Sequence, residues 1–132
     1  MDSISQFLAG HRIGVVGASR DPDKYGHKVL VDLLAQGYDA IPIHPRETEL
    51  EGRSCVRSVA DLPADVDALS VITPPKVTEE VVDAAIAKGI ARIWMQPGAE
   101  SAPAVARARA AGIDVIEGGP CLLVALRTRH RT

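Results

Sequence analysis

The chain has 132 residues, is 46% hydrophobic, carries a formal net charge of −2 at pH 7 and has a pI near 6.1. This length fits one compact domain with its own core and is too short for two domains. The acidic balance excludes a general affinity for nucleic acid or acidic membranes, and no run approaches the roughly twenty apolar residues of a membrane-spanning helix. The first ten residues lack the pattern of a secretion signal. The two cysteines, Cys55 and Cys121, predict reduced thiols in a cytoplasmic protein.

Short apolar runs alternate with helical runs along the chain. Strands are predicted at residues 13–16, 39–43, 68–72, 92–95 and 113–116. Helices are predicted at residues 27–36, 78–88 with Thr78 as the N-cap, 101–111 and 122–126. Glycines 37, 89 and 112 end three helices, and an apolar run follows each one, which is typical of βαβ units. The sequence therefore predicts a single α/β domain, a Rossmann-like, doubly wound sheet of five parallel strands with helices on both faces.

Three segments lie outside this pattern. Residues 1–11 are predicted to be a leader that packs Ile4, Phe7 and Leu8 on the domain. Residues 47–66 are polar and predict a crossover with one short helix at 58–62, ended by Pro63. Residues 127–132 predict a solvated basic tail. In the fourth strand, Trp94 alternates with Ile93 and Met95 and is predicted to belong to the core.

The turn after the first strand predicts a phosphate-binding loop. A helix N-terminus presents unpaired backbone N–H groups and the positive end of its dipole beyond the preceding strand. Gly17 and Ala18 leave room for a ligand to approach the backbone, and Ser19 offers a hydroxyl group. Arg20 and Lys24 add positive charge within the same loop. The coincidence of small residues, a serine and two cations favours a ligand site over a plain strand-to-helix turn.

In a doubly wound sheet, the ligand lies beyond the carboxyl ends of the strands, where strand order reverses. The predicted strand exits each combine small or kinked backbone with a polar group: Gly17-Ala18-Ser19, His44-Pro45-Arg46, Thr73-Pro74-Pro75, Gln96-Pro97-Gly98 and Gly118-Gly119. Five such loops at one edge predict an extended ligand instead of a single phosphate ion. The prolines are equally compatible with simple strand punctuation.

The end of the second strand narrows the ligand class. A nicotinamide dinucleotide site carries G-x-G-x-x-G and an acidic residue that holds the adenosine ribose, and neither is present. The second strand instead ends at His44, with Arg46 nearby and Arg53 further along, and the first carboxylate after the strand is Glu47. A basic environment suits a phosphorylated ribose, a group that both NADP and coenzyme A contain.

These residues resemble the small stand-alone CoA-binding domain family, which is similar to the CoA-binding Rossmann domain of succinyl-CoA synthetase alpha subunits. The resemblance covers roughly residues 10–122. It depends on VVGAS at 15–19, then Pro22 and Tyr25-Gly26, the run from Gly37-Tyr38 to Pro45, SVADLP at 58–63 and the loop after the fourth strand. Members of the family are described as binding coenzyme A.

The resemblance implies contacts for individual residues. Gly17, Ala18, Ser19, Lys24 and Tyr25 would contact the phosphates and neighbouring groups, and Gly26 belongs to the same motif. His44 and Pro45 would lie by the adenosine, and Thr73 and Pro74 along the pantetheine. Gln96 and Gly98 belong to the loop after the fourth strand. The chain departs from the family at His44, where many relatives have Asn, and in its final residues.

The predicted function is non-covalent binding of coenzyme A or an acyl-CoA, in a carrier, sensor or accessory role. The four histidines form no catalytic triad, and neither they nor the cysteines have the spacing of metal ligands, so we predict no catalytic residue and no metal site. The expected partner is a small molecule; a protein partner or a homo-oligomer stays open. The alternatives are an NAD(P)-binding oxidoreductase-like protein and, third, a partner module that keeps only the fold.

Cys121 supports two interpretations. It follows the fifth predicted strand at the edge of the crevice, where it would come close to the thiol of coenzyme A and form a mixed disulfide under oxidation. We favour the simpler interpretation, a small buried residue.

Overall fold

The computed structural model describes residues 2–130, so the predicted tail residue Arg131 lies outside it. In chain order, its strands are β1 (Arg12–Val16), β2 (Asp39–Ile43), β3 (Glu49–Leu50), β4 (Arg53–Ser54), β5 (Ala68–Val71), β6 (Arg92–Met95) and β7 (Asp114–Ile116). Five of them form one sheet in the order β2-β1-β5-β6-β7, and every pairing in it is parallel. The predicted doubly wound, five-stranded parallel sheet is confirmed.

The helices are α1 (Ser3–Ala9), α2 (Tyr25–Ala35), α3 (Pro75–Lys88), α4 (Ala102–Ala110) and α5 (Leu122–His130), with a 3-10 turn at Val59–Asp61. Local sequence explains several of their ends. The Asp2 side chain accepts a hydrogen bond from the Ser5 N–H at 2.7 Å and caps α1. Ser101 caps α4 in the same way. Gly89 ends α3 in the left-handed conformation, with φ of 85°.

Each face of the sheet buries its own apolar cluster, because successive strand residues point to opposite faces. Leu69 and Val71 of β5 belong to the cluster that packs against α3 and α4. Ala68 of the same strand belongs to the cluster beneath α1, α2 and α5. Helices on both faces therefore leave the carboxyl ends of the strands as the open edge.

The structure corrects four predictions of local structure. Helix α3 begins at Pro75 instead of after Thr78, because proline is well suited to the first helical position. Helix α2 begins at Tyr25, two residues earlier than predicted. The polar crossover contains the antiparallel pair β3–β4 besides its 3-10 turn. The last helix continues past residue 126 to His130, so the first residues of the predicted tail are helical.

The leader and the tryptophan lie where the sequence predicts. Phe7 and Leu8 of α1 are buried, and the Phe7 ring meets the Trp94 ring edge-on at a centroid distance of 5.3 Å. Trp94 is fully buried and donates its indole N–H to the Pro120 carbonyl at 3.0 Å. Within residues 2–130, none of the helices combines the length and the apolar character needed to cross a bilayer.

Candidate functional site: the open edge between strands β1, β2 and β5

The reversal of strand order lies between β1 and β5. The chain runs from β1 to β2 on one side and then continues on the other side of β1 with β5. Gly17 leaves β1 at this point with a φ of 94°, and a Cβ atom there would lie 2.3 Å from the Ile72 carbonyl oxygen. Only glycine fits such a close backbone approach with positive φ. The two strand exits therefore meet at the position where doubly wound sheets bind ligands.

Helix α2 begins directly against this turn. A Cβ atom on Gly26, in the first turn of α2, would lie 1.8 Å from the Gly17 carbonyl oxygen. The helix follows Lys24, and no side chain forms an N-cap hydrogen bond there. The same is true of α3, whereas side chains cap α1 and α4. No side chain therefore accepts from the first N–H groups of α2. The His27 N–H donates to the Lys24 carbonyl at 3.1 Å, and an anion is the ligand that the remaining N–H groups at such a helix end favour.

A slot of about 410 Å³ opens beside this turn, between α3 and the ends of β1 and β2. Its walls are largely aliphatic and come from β1, β2, the 3-10 turn and α3: Val16, Ile43, Val59, Val77, Val81 and Ala84. The polar side chains at its surface are those of His44, Arg57, Ser58, Thr73 and Glu80. The slot therefore offers an apolar surface to a flat or aliphatic group and polar groups to its substituents.

The structure brings some of the predicted site residues together at this slot. They are Gly17, Ala18, His44, Pro45 and Thr73. The sequence analysis missed Arg57, Ser58, Val59 and the slot-facing residues of α3. Ser58 and Val59 begin the SVADLP stretch that contributes to the family resemblance, so that motif was the available signal for this wall. The α3 residues had no signal beyond the apolar face of their helix.

His44 shapes the exit of β2. Its Nδ1 atom accepts hydrogen bonds from the backbone N–H groups of Arg46 at 3.0 Å and Glu47 at 2.9 Å. An Asn side chain forms bonds of the same kind in an Asx turn, so the His44 ring closes the turn that follows β2. Because Nδ1 accepts, the neutral ring carries its proton on Nε2, and that donor remains for a ligand at the slot.

Four of the predicted cationic and aromatic residues lie on the protein surface and do not line the slot. Arg20 forms a salt bridge with Glu47 and donates to the Glu49 carbonyl at 2.9 Å, so its charge is compensated. Lys24, Tyr25 and Arg46 are exposed, and Tyr25 keeps 57% of its accessible surface. The Ser19 hydroxyl forms a hydrogen bond within the loop, where it accepts from the Asp21 N–H at 3.1 Å.

Thr73 follows β5 and is held by the start of α3. Its hydroxyl lies 2.8 Å from the hydroxyl of Thr78, which is fully buried. Thr78 therefore positions Thr73 from inside the first turn of α3 instead of capping the helix. Pro74 supplies the N-cap residue of α3, and its carbonyl accepts from the Thr78 N–H at 3.0 Å.

Gln96 and Gly98, at the exit of β6, do not reach the slot. Gln96 is only 3% exposed. Its amide oxygen accepts from the Leu122 N–H at 2.8 Å, and its amide nitrogen donates to the Cys121 Sγ at 3.2 Å. Gly98 donates its N–H to the Glu100 carboxylate at 2.8 Å. The Gln96 side chain thus fixes the start of α5.

Cys121 lines a cavity between α1 and α5 instead of the slot. Burial raises the pKa of its thiol, but the hydrogen bond from Gln96, the N–H groups of Val124 and Leu123 and the charge of Arg127 together lower that pKa below its usual value. The pKa of Cys55 shifts the other way, raised by burial and by the nearby Glu47 and Glu49 carboxylates. A mixed disulfide between Cys121 and coenzyme A stays a hypothesis.

The fold and this edge define a class: a doubly wound, Rossmann-like domain with an apolar slot beside an uncapped helix N-terminus. The model of the CoA binding domain family matches residues 11–127. The chain therefore belongs to the CoA-binding domain family, and the resemblance drawn from its motifs is confirmed.

Three relatives show the extent of the similarity. The alpha subunit of ADP-forming acetate–CoA ligase II from Pyrococcus furiosus is 32% identical over 88 residues, which are 66% of this chain and 19% of the relative. A conserved hypothetical protein of Pyrococcus furiosus has a TM-score of 0.83 at 41% identity, covering 87% of this chain and 98% of that one. A hypothetical protein from Pyrococcus horikoshii has a TM-score of 0.89 at 32% identity, covering 95% of this chain and 88% of that one. This chain spans about a fifth of the ligase subunit it matches.

Proposed function

We propose that this chain binds coenzyme A or an acyl-CoA non-covalently at the slot and the adjoining start of α2. It acts in the cytoplasm as a carrier, sensor or accessory module. In this proposal the pyrophosphate lies at the N–H groups of α2, and the adenosine occupies the slot near His44 and Pro45. The pantetheine runs past Thr73 and Pro74 toward the exit of β6, where Gly98 is exposed and Gln96 is buried.

One observation supports this proposal above all. The family model spans residues 11–127, and this range contains both the uncapped start of α2 and the whole lining of the slot. A pyrophosphate needs N–H donors and a positive helix end, and an adenine ring needs an apolar surface. Both surfaces occur side by side at the reversal of strand order.

The environment of β2 favours coenzyme A over NAD. The described residues that line the slot include His44 at the end of β2 and Arg57, and the nearest carboxylate along the chain, Glu47, is paired with Arg20. The carboxylate that does line the slot, Glu80, belongs to α3 and not to the end of β2. An NAD site uses a carboxylate at this position to accept hydrogen bonds from the ribose hydroxyls. NADP remains the rival ligand, because it also carries a phosphorylated ribose.

A binding panel with a slot-filling variant tests the proposal. Coenzyme A, acetyl-CoA, dephospho-CoA, NADP and NAD are compared by thermal shift and calorimetry with the wild type, Val77→Trp and Ile86→Trp. Val77 lines the slot, whereas Ile86 lies on the same helix away from it, and the two are 40% and 37% exposed.

We expect coenzyme A to stabilise the wild type and Ile86→Trp by about 2.7 kcal/mol at a hundred times its Kd, with little effect on Val77→Trp. Uptake of NADP or NAD without uptake of coenzyme A would favour the oxidoreductase-like alternative. Equal binding of coenzyme A by both tryptophan variants would exclude the slot as the site.

A further inference from the structure

Arg57 is an unassigned cation at the slot. His44, Arg46 and, further along the chain, Arg53 are the residues whose sequence positions predict a basic environment at the end of β2. In the structure, Arg53 pairs with Asp39, and Arg20 of the loop pairs with Glu47. Arg57, by contrast, lines the slot directly.

The backbone fixes Arg57 beside the exit of β2. Val56 bridges to Ile43 in parallel register. The Val56 N–H donates to the Pro42 carbonyl at 3.0 Å, and the His44 N–H donates to the Val56 carbonyl at 2.9 Å. The next residue, Arg57, therefore follows a short extension of the sheet. Its Nη1 atom donates to the Pro45 carbonyl at 2.8 Å, which holds the guanidinium at this end of the slot.

Arg57 differs from most other arginines because it forms no ion pair with a carboxylate of the described residues. Among arginines whose side chains the structure describes, these pair with a carboxylate: Arg12, Arg20, Arg53, Arg92, Arg107, Arg109 and Arg127. In that same set, Arg46 and Arg57 lack such a pair, and both flank Pro45. Of these two, only Arg57 lines the slot. Its remaining N–H donors are suited to a phosphate, whose oxygens they can bind in a bidentate manner.

The position relative to α2 indicates which phosphate Arg57 would bind. In doubly wound domains with the pyrophosphate at the first helix, the ribose hydroxyls lie at the end of the second strand, and a nearby arginine accommodates a phosphate there. We propose that Arg57 is the specificity-determining residue for the monophosphate on the ribose of the bound coenzyme. This inference rests on the proposed function and adds the residue that distinguishes coenzyme A from dephospho-CoA.

Calorimetry with paired ligands tests the inference on the full chain. The ratio of affinities for coenzyme A and dephospho-CoA is measured for the wild type, Arg57→Gln, Arg57→Lys, Arg46→Gln and Arg109→Gln. Arg109 is an exposed arginine that pairs with Glu117 away from the slot. Thermal unfolding of each variant verifies that it folds.

We expect the wild type to bind coenzyme A about tenfold to a hundredfold tighter than dephospho-CoA, the range of charge-assisted hydrogen bonds. Arg57→Gln should bring the ratio close to one while dephospho-CoA binds as before. Arg57→Lys should give an intermediate ratio, because lysine keeps the charge and loses the planar fork. Arg109→Gln should keep the wild-type ratio, and Arg46→Gln should retain most of it.

Three results would overturn the inference. They are a wild-type ratio near one, an unchanged ratio in Arg57→Gln, and a ratio that collapses in Arg46→Gln alone. These results leave the proposed function intact as long as coenzyme A binds. If the wild type binds neither CoA ligand but takes up NADP, the proposed function fails, and the NADP to NAD ratio of Arg57→Gln then tests Arg57 separately.

Discussion

The replacement of Gly26 by alanine tests the contact between the start of α2 and the turn after β1. Inside a helix, alanine is normally more stable than glycine by about 1 kcal/mol. At position 26, however, the new Cβ would lie 1.8 Å from the Gly17 carbonyl oxygen and 3.3 Å from the Ala18 Cα. Helix propensity therefore predicts that Gly26→Ala raises the free energy of unfolding, whereas the steric contact predicts that it lowers it. The distances show which effect is larger.

The steric effect should be larger. The Cβ falls roughly 1 Å short of any separation that a methyl group and a carbonyl oxygen tolerate, and the opposing atom is backbone, so α2 itself must shift. Overpacking of this kind costs about 3 kcal/mol at the upper end of its usual range. After subtraction of the propensity gain, we expect a net loss of about 2 kcal/mol, or roughly 6–10 °C in Tm for a domain of this size.

Urea unfolding and thermal scans of Gly26→Ala measure this loss, with Gly112→Ala as the matched control. Gly112 has a φ of 86°, and a Cβ atom there meets nothing within 4 Å. Gly112→Ala should therefore lower the free energy of unfolding by only about 1 kcal/mol, because alanine is less stable than glycine in the left-handed conformation. The reasoning is refuted if Gly26→Ala is as stable as the wild type or more stable. Because the shift moves the N–H groups of α2, Gly26→Ala should also bind coenzyme A at least about tenfold more weakly.

Two further predictions concern titrating groups. Burial raises the pKa of Asp39, but pairing with Arg12 and Arg53 outweighs it and lowers that pKa. A lowered folded-state pKa stabilises the fold above the unfolded value near 3.9. Asp39→Asn should therefore lower the free energy of unfolding by about 1–3 kcal/mol at pH 7 and by a smaller amount at pH 3.5. Equal losses in urea titrations at both pH values would contradict this. Iodoacetamide should alkylate Cys121 before Cys55 below pH 8, because the two thiol pKa values shift in opposite directions. Gln96→Leu should slow the alkylation of Cys121, because it removes the hydrogen bond that lowers the pKa of that thiol. Peptide mapping that finds Cys55 modified first would argue against that assignment.

The sheet was predictable because its strands are short apolar runs between glycine-ended helices. The glycines at 37, 89 and 112 all have positive φ and follow helices, so one residue type marks three boundaries. The start of α3 was not predictable from its capping pattern. Thr78, followed by two glutamates, has the pattern of an N-cap, yet Pro75 begins the helix and Thr78 becomes a buried partner of Thr73. Local sequence preferences alone do not show whether the helix begins at Pro75 or after Thr78, because both residues are favourable at a helix start.

The arrangement of the candidate site was predictable where the backbone determines it, although which of its residues bind a ligand stays a prediction. Gly17, His44 and Thr73 are strand exits, and parallel strands bring their carboxyl ends to one edge, so their proximity follows from topology. The role of Arg20 was not accessible, because its salt bridge with Glu47 depends on how the crossover folds back. Arg57 was missed for the same reason, since the bridge between Val56 and Ile43 brings it to β2. The number of cations is visible in the sequence, but only the folded crossover distinguishes a paired arginine from an unpaired one.

Whether coenzyme A binds at the slot is decided by calorimetric titration of the wild-type chain with coenzyme A. We expect saturable uptake of coenzyme A that is tighter than uptake of dephospho-CoA, NADP or NAD and is lost in Val77→Trp. No heat with millimolar coenzyme A, together with clear uptake of NAD, would contradict it.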